Sequence, residues 1–257
     1  MTLRDATRDE LLEENAALRA KVEQLQRMAI LGELTSTTTH EFNNLLTTIL
    51  NYAKLGMRYR DDPSRDKAFQ RILDASNRAA KLTGTILAMA RNRSGQMEPT
   101  DLKQVIEDTL LLMEKELQKY RIGIEKKIEA VPLILAAGNQ LQRVLINMLV
   151  NARQAMPNGG MVLLQLTSED EGRTVTLSIR DTGLGIAPEH LPKIFDPFFS
   201  TKSGPDASGK GGTGLGLSAC REIIESHSGR IRVESSVGRG TQFIMRFPSL
   251  LAENDAA

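Results

Sequence analysis

Residue types and spacing suited to nucleophilic chemistry occur together in Thr39-His40-Glu41-Phe42-Asn43-Asn44-Leu45-Leu46. A neutral imidazole near pH 7 is a competent nucleophile. A carboxylate that accepts the proton of one ring nitrogen makes the other more basic and fixes the tautomer. Glu41 follows His40 directly, and Asn44 lies four residues on, one helical turn away on the same face. Phe42, Leu45, Leu46, Ile49 and Leu50 recur at steps of three and four. The spacing predicts a helix with those five side chains inward and His40 toward solvent. Such a nucleophile needs an electrophile, and candidates for holding one lie in the second half of the chain.

Four clusters there suit a nucleotide, and each also has an ordinary structural reading. Asn147 and Asn151 are four apart on a predicted helix. Their carbonyl oxygens suit Mg²⁺, which takes oxygen ligands and keeps phosphates and waters in its shell, although surface or capping asparagines would look the same. Asp181-Thr182-Gly183-Leu184-Gly185-Ile186 reads as a strand entering a glycine turn. A carboxylate at a strand end can accept from the exocyclic amine of adenine, and glycines let backbone approach the ring. In Ile194-Phe195-Asp196-Pro197-Phe198-Phe199-Ser200-Thr201-Lys202, three of the chain's seven phenylalanines could anchor a lid that brings Lys202 to a phosphate. A plain hydrophobic plug is the competing view. Gly211-Gly212-Thr213-Gly214-Leu215-Gly216-Leu217 leads into a helix, and glycine N–H groups at a helix N-terminus form an anion site.

Two familiar phosphate motifs do not apply. Gly204 to Lys210 has the spacing of a phosphate-binding loop, but Gly211 stands where Ser or Thr must ligate Mg²⁺. The dinucleotide fingerprint also fails, because no strand runs directly into the glycines and no βαβ unit surrounds them.

The elements that must position these residues divide the chain in two. Over residues 5–30, Leu11, Leu18 and Leu25 repeat every seven, with Asn15, Val22 and Ala29 four after each. That seam predicts a short coiled coil, and the Asn favours two strands; a single amphipathic helix is the alternative. The helical pattern runs on through His40 to about Arg60, turns at Asp61-Asp62-Pro63-Ser64, and resumes with Phe69, Ile72, Leu73, Ala79, Leu82, Ile86 and Met89 inward until near Ser94-Gly95. One such hairpin cannot bury both stripes, whereas two packed as a four-helix bundle can, which predicts a homodimer.

Met97 to Thr100 reads as a linker that caps the next helix. Helices at about 101–119 and 139–156 then alternate with strands at Gly123–Ile128, Met161–Thr167 and Thr174–Arg180. A hairpin, Arg230–Ser235 and Thr241–Phe247, turns at Val237-Gly238-Arg239-Gly240. This order predicts an α+β chain ending in a two-layer α/β sandwich, helices on one face of a sheet. Ser200–Gly212, rich in Ser and Gly without an apolar anchor, is predicted to be a mobile loop.

Composition narrows the partners. The chain has 257 residues and a formal net charge of +1, so charge gives no reason to expect nucleic acid or an anionic membrane. Cys220 is the only cysteine, which excludes an intrachain disulfide. The longest apolar run, Ala130–Ala137, falls short of the roughly 18 residues that span a bilayer. A cytoplasmic protein, or a cytoplasmic fragment of a larger one, is expected.

Taken together and in this order, the motifs resemble those of bacterial two-component sensor histidine kinases from about residue 31 to 248. T-H-E-F-N-N-L-L is similar to the phosphoacceptor box, N-M-L-V-N-A to the asparagine box and D-T-G-L-G-I to the first glycine box. F-D-P-F-F-S-T-K is similar to the phenylalanine box, G-G-T-G-L-G-L-S to the second glycine box, and G-R-G-T at 238–241 to the family's last short signature. The wording of the acceptor box and of F-F-S-T-K most resembles the nitrogen-regulation type. The resemblance implies four regions: a coiled-coil signalling helix (1–30), a dimerisation and phosphoacceptor domain (31–95), an ATP-binding catalytic domain (96–248) and a tail (249–257).

Residue by residue, the resemblance implies that His40 is phosphorylated by ATP, that Glu41 assists as general base, and that Asn44 orients groups for transfer or hydrolysis. Asn151 would ligate Mg²⁺ with Asn147 alongside, and Asp181 would read adenine with help from Thr241. Gly183, Gly185, Gly212, Thr213, Gly214, Leu215, Gly216 and Leu217 would shape the pocket, and Lys202 would approach the phosphates. The phosphoryl group would pass to an aspartate of a separate response-regulator receiver, since no receiver-like array occurs in this chain. Many members have Pro five residues after the histidine. Leu45 stands there, so less of a kink is expected. His190 and His227 are poor rivals: His227 ends a helix, where a cation is favourable. Two other readings stay open, a non-catalytic scaffold or phosphatase, and an ATPase of related fold in which the His40 helix has no purpose.

Overall fold

A computed structural model describes residues 10, 11, 14, 17, 21, 39, 41–59, 61–90, 96–201 and 214–254. His40, Lys202, Gly212 and Thr213 lie outside the described residues, as do nearly all of the heptad stretch and most of the predicted loop. The chain divides into two compact units, residues 1–90 and 91–257.

In the first unit, helix α1 (41–58) and helix α2 (Asp62–Ala90) form the hairpin. The turn between them is tighter than expected, because Pro63 already belongs to the first turn of α2, where its missing N–H costs nothing. Asp61 starts that helix by accepting from the Ser64 amide at 2.9 Å. The Ser64 hydroxyl and amide hold its carboxyl below the usual range.

The seam between α1 and α2 is made of Leu45, Ala68, Ala75 and Leu82, all buried, the last three spaced by seven. Small residues bring the helices close: a Cβ on Gly56 would touch the Ala68 Cβ at 3.4 Å. One hairpin buries only part of the stripes that periodicity marks. Phe42, Leu46, Leu50, Phe69 and Leu73 are exposed in the single chain, while Ile49, Ile72 and Ala79 are half-buried. A helical stripe wider than one neighbour can cover leaves its flank open. The side chains of Ile86 and Met89 lie outside the described part.

The second unit runs β1 (Glu98–Thr100), α3 (Leu102–Lys119), β2 (Ile122–Ile128), β3 (Ile134–Ala136), α4 (Gly138–Ala155), β4 (Gly160–Glu169), β5 (Thr174–Asp181), α5 (Gly216–Ser226), β6 (Arg230–Ser236), β7 (Gly240–Pro248) and α6 (Leu250–Asn254). Five strands form one mixed sheet in the order β2-β4-β5-β7-β6, parallel only between β2 and β4. Val162, Leu164 and Leu166, then Val175, Leu177 and Ile179, then Phe243, Met245 and Phe247 are buried at alternate positions. They meet the apolar stripes of α3 (Ile106, Met113, Leu117) and α4 (Leu141, Val144, Met148). This is the α+β sandwich that the element order predicts.

Residues 97–100, read as a linker, include β1, which pairs antiparallel with β3 at Thr100↔Ile134. The Thr100 hydroxyl donates to the Ala136 carbonyl at 2.8 Å, and Asp101 caps α3 by accepting from the Lys103 amide at 2.8 Å. Glu116 and Arg153 form a buried ion pair at 2.8 Å between α3 and α4, with the Arg153 guanidinium 4.8 Å from the Tyr120 ring centre. Truncating one partner of such a pair typically costs about 3–5 kcal/mol.

His227 corrects another expectation. It caps α5, is buried, and accepts from the Ala137 amide through Nε2 at 3.0 Å. An amide N–H only donates, so Nε2 carries a lone pair, and Nδ1 donates to the Ile223 carbonyl at 2.6 Å. The ring is a neutral tie between α5 and the start of α4, not a helix-end cation, and burial pushes its pKa down from 6.5.

The unfolded chain therefore takes up this proton first as pH falls, and the tie's contribution is present above pH 6.5 and lost below it. Thermal unfolding of the second unit should show stability falling between pH 7.5 and 5.5. In His227→Gln the slope should be flatter and stability at pH 7.5 lower by about 1–3 kcal/mol, the cost of an unpaired buried amide. Equal slopes in both proteins would refute the neutral-tie assignment.

Candidate active site

Strand β5 carries Asp181 into the interior, where it is 5% exposed. Its Oδ1 accepts from the Gly183 amide at 2.8 Å and from the Thr241 amide at 3.2 Å. Burial raises its carboxyl above the ordinary value, and the two amide bonds oppose that rise. With both bonds on Oδ1, Oδ2 has lone pairs for a further donor.

The glycines exist to make this approach possible. A Cβ on Gly183 would stand 2.6 Å from the Ala155 carbonyl oxygen at the end of α4. Gly240, at φ +93°, lies directly against the Asp181 carbonyl, and a side chain there would overlap it. The loop is then clamped on both sides. The Leu184 amide donates to the Ala155 carbonyl at 3.0 Å, and the Gly238 amide donates to the Leu184 carbonyl at 2.8 Å. Ser235 completes the clamp by accepting from the Ile186 amide at 2.8 Å, donating to the Gly240 carbonyl at 3.0 Å, and meeting the Thr241 hydroxyl at 2.9 Å.

Asn147 and Asn151 share a face of α4, and both are half-buried. Asn147 faces α5: its Oδ1 lies 3.8 Å from where a Cβ on Gly216 would stand, and its side chain acts on the Cys220 thiol to oppose the effect of burial. Burial pushes that thiol up to about 12, so Cys220 stays protonated and inert. Thus Asn147 bridges α4 to the helix that begins at the second glycine cluster. Leu215 precedes α5, Gly216 and Leu217 form its first turn, and all three are half-buried.

Gly214 adopts φ +68° and its carbonyl accepts from the Phe198 amide at 3.0 Å, which pins together the two ends of the 199–213 segment. A side chain on Gly214 would overlap the Phe198 carbonyl. Phe195 packs edge-on against Phe243 at 6.5 Å, and Phe199 lies beside His190 at 5.7 Å.

In the hairpin unit, Glu41 is 9% exposed and its Oε1 lies 3.2 Å from Nη2 of Arg78 on α2. Asn44 is exposed, and its carbonyl accepts from the Thr48 hydroxyl at 2.9 Å. Ser235 and Arg78 belong to no motif in the sequence, and Cys220 stands out there only as a lone cysteine. Their partners are 5 to 73 positions away, at separations with no local periodicity to mark them.

Residues 136–251 match the family described as "Histidine kinase-, DNA gyrase B-, and HSP90-like ATPase", the class that this sheet order and the turn after Asp181 define. Residues 30–95 match the His Kinase A (phospho-acceptor) domain. With the two in this order, the chain belongs to the bacterial sensor histidine kinases. Sensor kinase CckA of Brucella abortus is 35% identical over 260 residues, covering 95% of this chain and 27% of that protein. The signal transduction histidine-protein kinase AtoS of Escherichia coli is 32% identical, covering 89% of this chain and 36% of its own length. The chain therefore spans about a quarter to a third of these two curated relatives. Among solved structures, the catalytic domain of histidine kinase ThkA is 32% identical with a TM-score of 0.51, covering 60% of this chain and 97% of that one. ThkA in complex with the response regulator TrrA is 28% identical with a TM-score of 0.50, covering 95% and 68%.

Asp181→Asn separates binding from folding. The amide keeps an oxygen for both backbone bonds and removes a buried charge whose raised carboxyl costs stability once the pH is above it. The melting temperature at pH 7.5 should be equal or higher, while nucleotide affinity, read by fluorescence titration, falls at least about tenfold. A lower melting temperature would contradict this account of the Asp181 environment.

Proposed function

We propose that this chain is the kinase core of a sensor histidine kinase that phosphorylates His40 with ATP and passes the phosphoryl group to an aspartate of a separate response regulator. The observation that carries the reading is the Asp181 turn, a buried carboxylate with Oδ1 held by two backbone amides and lone pairs left on Oδ2, on a turn whose glycines let it pack against the end of α4 and the β6–β7 hairpin. Its coexistence in one chain with a His-Glu acceptor sequence is what a protein-histidine kinase requires.

In this reading, Asp181 accepts from the adenine amine and the Thr241 amide keeps the carboxylate aimed. Asn151, with Asn147 alongside, would hold Mg²⁺. Amide oxygens without carboxylates fit an ion that brings phosphate oxygens and waters with it. Bound Mg²⁺ supplies neutralisation of charge on the phosphates during transfer. Lys202 and the backbone around Gly212, Thr213, Gly214, Leu215, Gly216 and Leu217 receive the phosphates at the start of α5.

A ring nitrogen of His40 attacks the γ-phosphorus in line. The N–P bond forms as the bond to the β–γ bridging oxygen breaks, ADP leaves, and Glu41 takes the ring proton. Asn44 orients the acceptor side for transfer and for hydrolysis of the phosphorylated regulator, so a phosphatase activity belongs to the same surface.

Residues 1–30 act as a coiled-coil signalling helix, 31–95 as the dimerisation and acceptor domain, 96–248 as the catalytic domain and 249–257 as a tail. The exposed Phe42, Leu46, Leu50, Phe69 and Leu73 support a homodimer in which a second hairpin covers them as a four-helix bundle. The acceptor-box wording and F-F-S-T-K support the nitrogen-regulation subtype. A cytoplasmic location fits ATP use. Among the described residues no helix is long and apolar enough to cross a membrane.

Incubation with γ-labelled ATP should give acid-labile, alkali-stable label that disappears in His40→Gln. Asn151→Ala should abolish labelling while circular dichroism stays native. Label that survives His40→Gln would defeat the assignment of the acceptor.

A further inference from the structure

We infer that Arg78 on α2 is a positioning residue for phosphorylation of His40, acting by holding the Glu41 carboxylate; this rests on the function proposed above. Glu41 is buried although its neighbours Phe42, Asn43 and Asn44 are all exposed. It sits in the α1–α2 seam with Leu45, Ala68, Ala75 and Leu82, otherwise an apolar surface. A carboxylate there is tolerated only if something satisfies its charge. Arg78 does so from the opposite helix, with Nη2 at 3.2 Å from Oε1, while its own side chain remains 42% exposed.

The pair does more than remove a penalty. A glutamate side chain has three rotatable bonds, and a general base must present a lone pair at one place. A guanidinium 3.2 Å from Oε1 draws that oxygen toward α2 and so restricts where the carboxylate can lie. A carboxylate has lone pairs on both oxygens, so Oε2 can accept from a further donor while Oε1 is held. The residue directly before Glu41 in the chain is His40. Arg78 thus sets the base from α2, and any signal that shifts α2 relative to α1 alters how the base is held.

The test uses the full chain and four variants: Arg78→Gln, Arg78→Lys, Glu41→Gln and the double variant Glu41→Gln/Arg78→Gln. Initial rates of His40 labelling are measured across ATP concentrations, with melting temperature as the folding control. Arg78→Gln should lower the maximal rate at least about tenfold and leave the half-saturating ATP concentration unchanged. Arg78→Lys, which keeps the charge without the planar fork, should recover part of the loss. In the Glu41→Gln background, Arg78→Gln should change the rate by less than about twofold, because its effect runs through the carboxylate. If Arg78→Gln does not fold, Arg78→Met, which keeps the apolar stem, takes its place in both backgrounds.

Wild-type rates in Arg78→Gln, faster labelling, or losses that multiply in the double variant would each overturn the inference. Wild-type label that persists in His40→Gln would instead defeat the proposed function, and this inference with it.

Discussion

A carboxylate buried at the end of a strand is unfavourable unless its lone pairs are used, and the second unit is organised around that constraint at Asp181. Two backbone amides converge on Oδ1, one from the residue two positions on and one from β7. For both to reach it, the turn after β5 must lie flat against the β6–β7 hairpin and the end of α4. Gly183 and Gly240 make that approach sterically possible, and Ser235 locks it with three hydrogen-bonding contacts. The motif D-x-G-x-G is therefore a set of steric permissions around one buried oxygen.

The same logic of a buried carboxylate recurs in the hairpin, with a different solution. Among the described residues no backbone amide converges on Glu41, since helix backbone is already committed to its own hydrogen bonds. It uses a guanidinium from the facing helix instead. A backbone-held carboxylate is rigid, whereas a side-chain-held one moves with the helix that supplies its partner. The two carboxylates are thus held in different ways, one by fixed backbone and one by a side chain that moves with its helix. The apolar flank of the hairpin fits this view, since a face left open in one chain is where a second chain can act.

Much of this was legible in the sequence, for identifiable reasons. Asp181, Gly183 and Gly185 stand within five residues, so the turn they make is a local event that residue types announce. The long helices and the β6–β7 hairpin carry clear periods and turn glycines. The three-residue strands β1 and β3 are too short to show alternation, and one of them lies within a continuous apolar run interrupted by Pro132. Periodicity marked the stripe containing Phe42, Leu46 and Leu50 without saying how much of it one neighbouring helix could cover. The charge state of His227 depends on an amide 90 residues away, which no local pattern encodes.

The central proposal is that the buried Asp181 carboxylate accepts from an amine on the purine. It is tested most directly by titrating the protein with ATP and with inosine triphosphate, which carries a keto oxygen where adenine has its amine. The account predicts affinity at least about tenfold weaker for the inosine nucleotide, because a carbonyl then faces a carboxylate and neither can donate. Equal affinity for the two would contradict it.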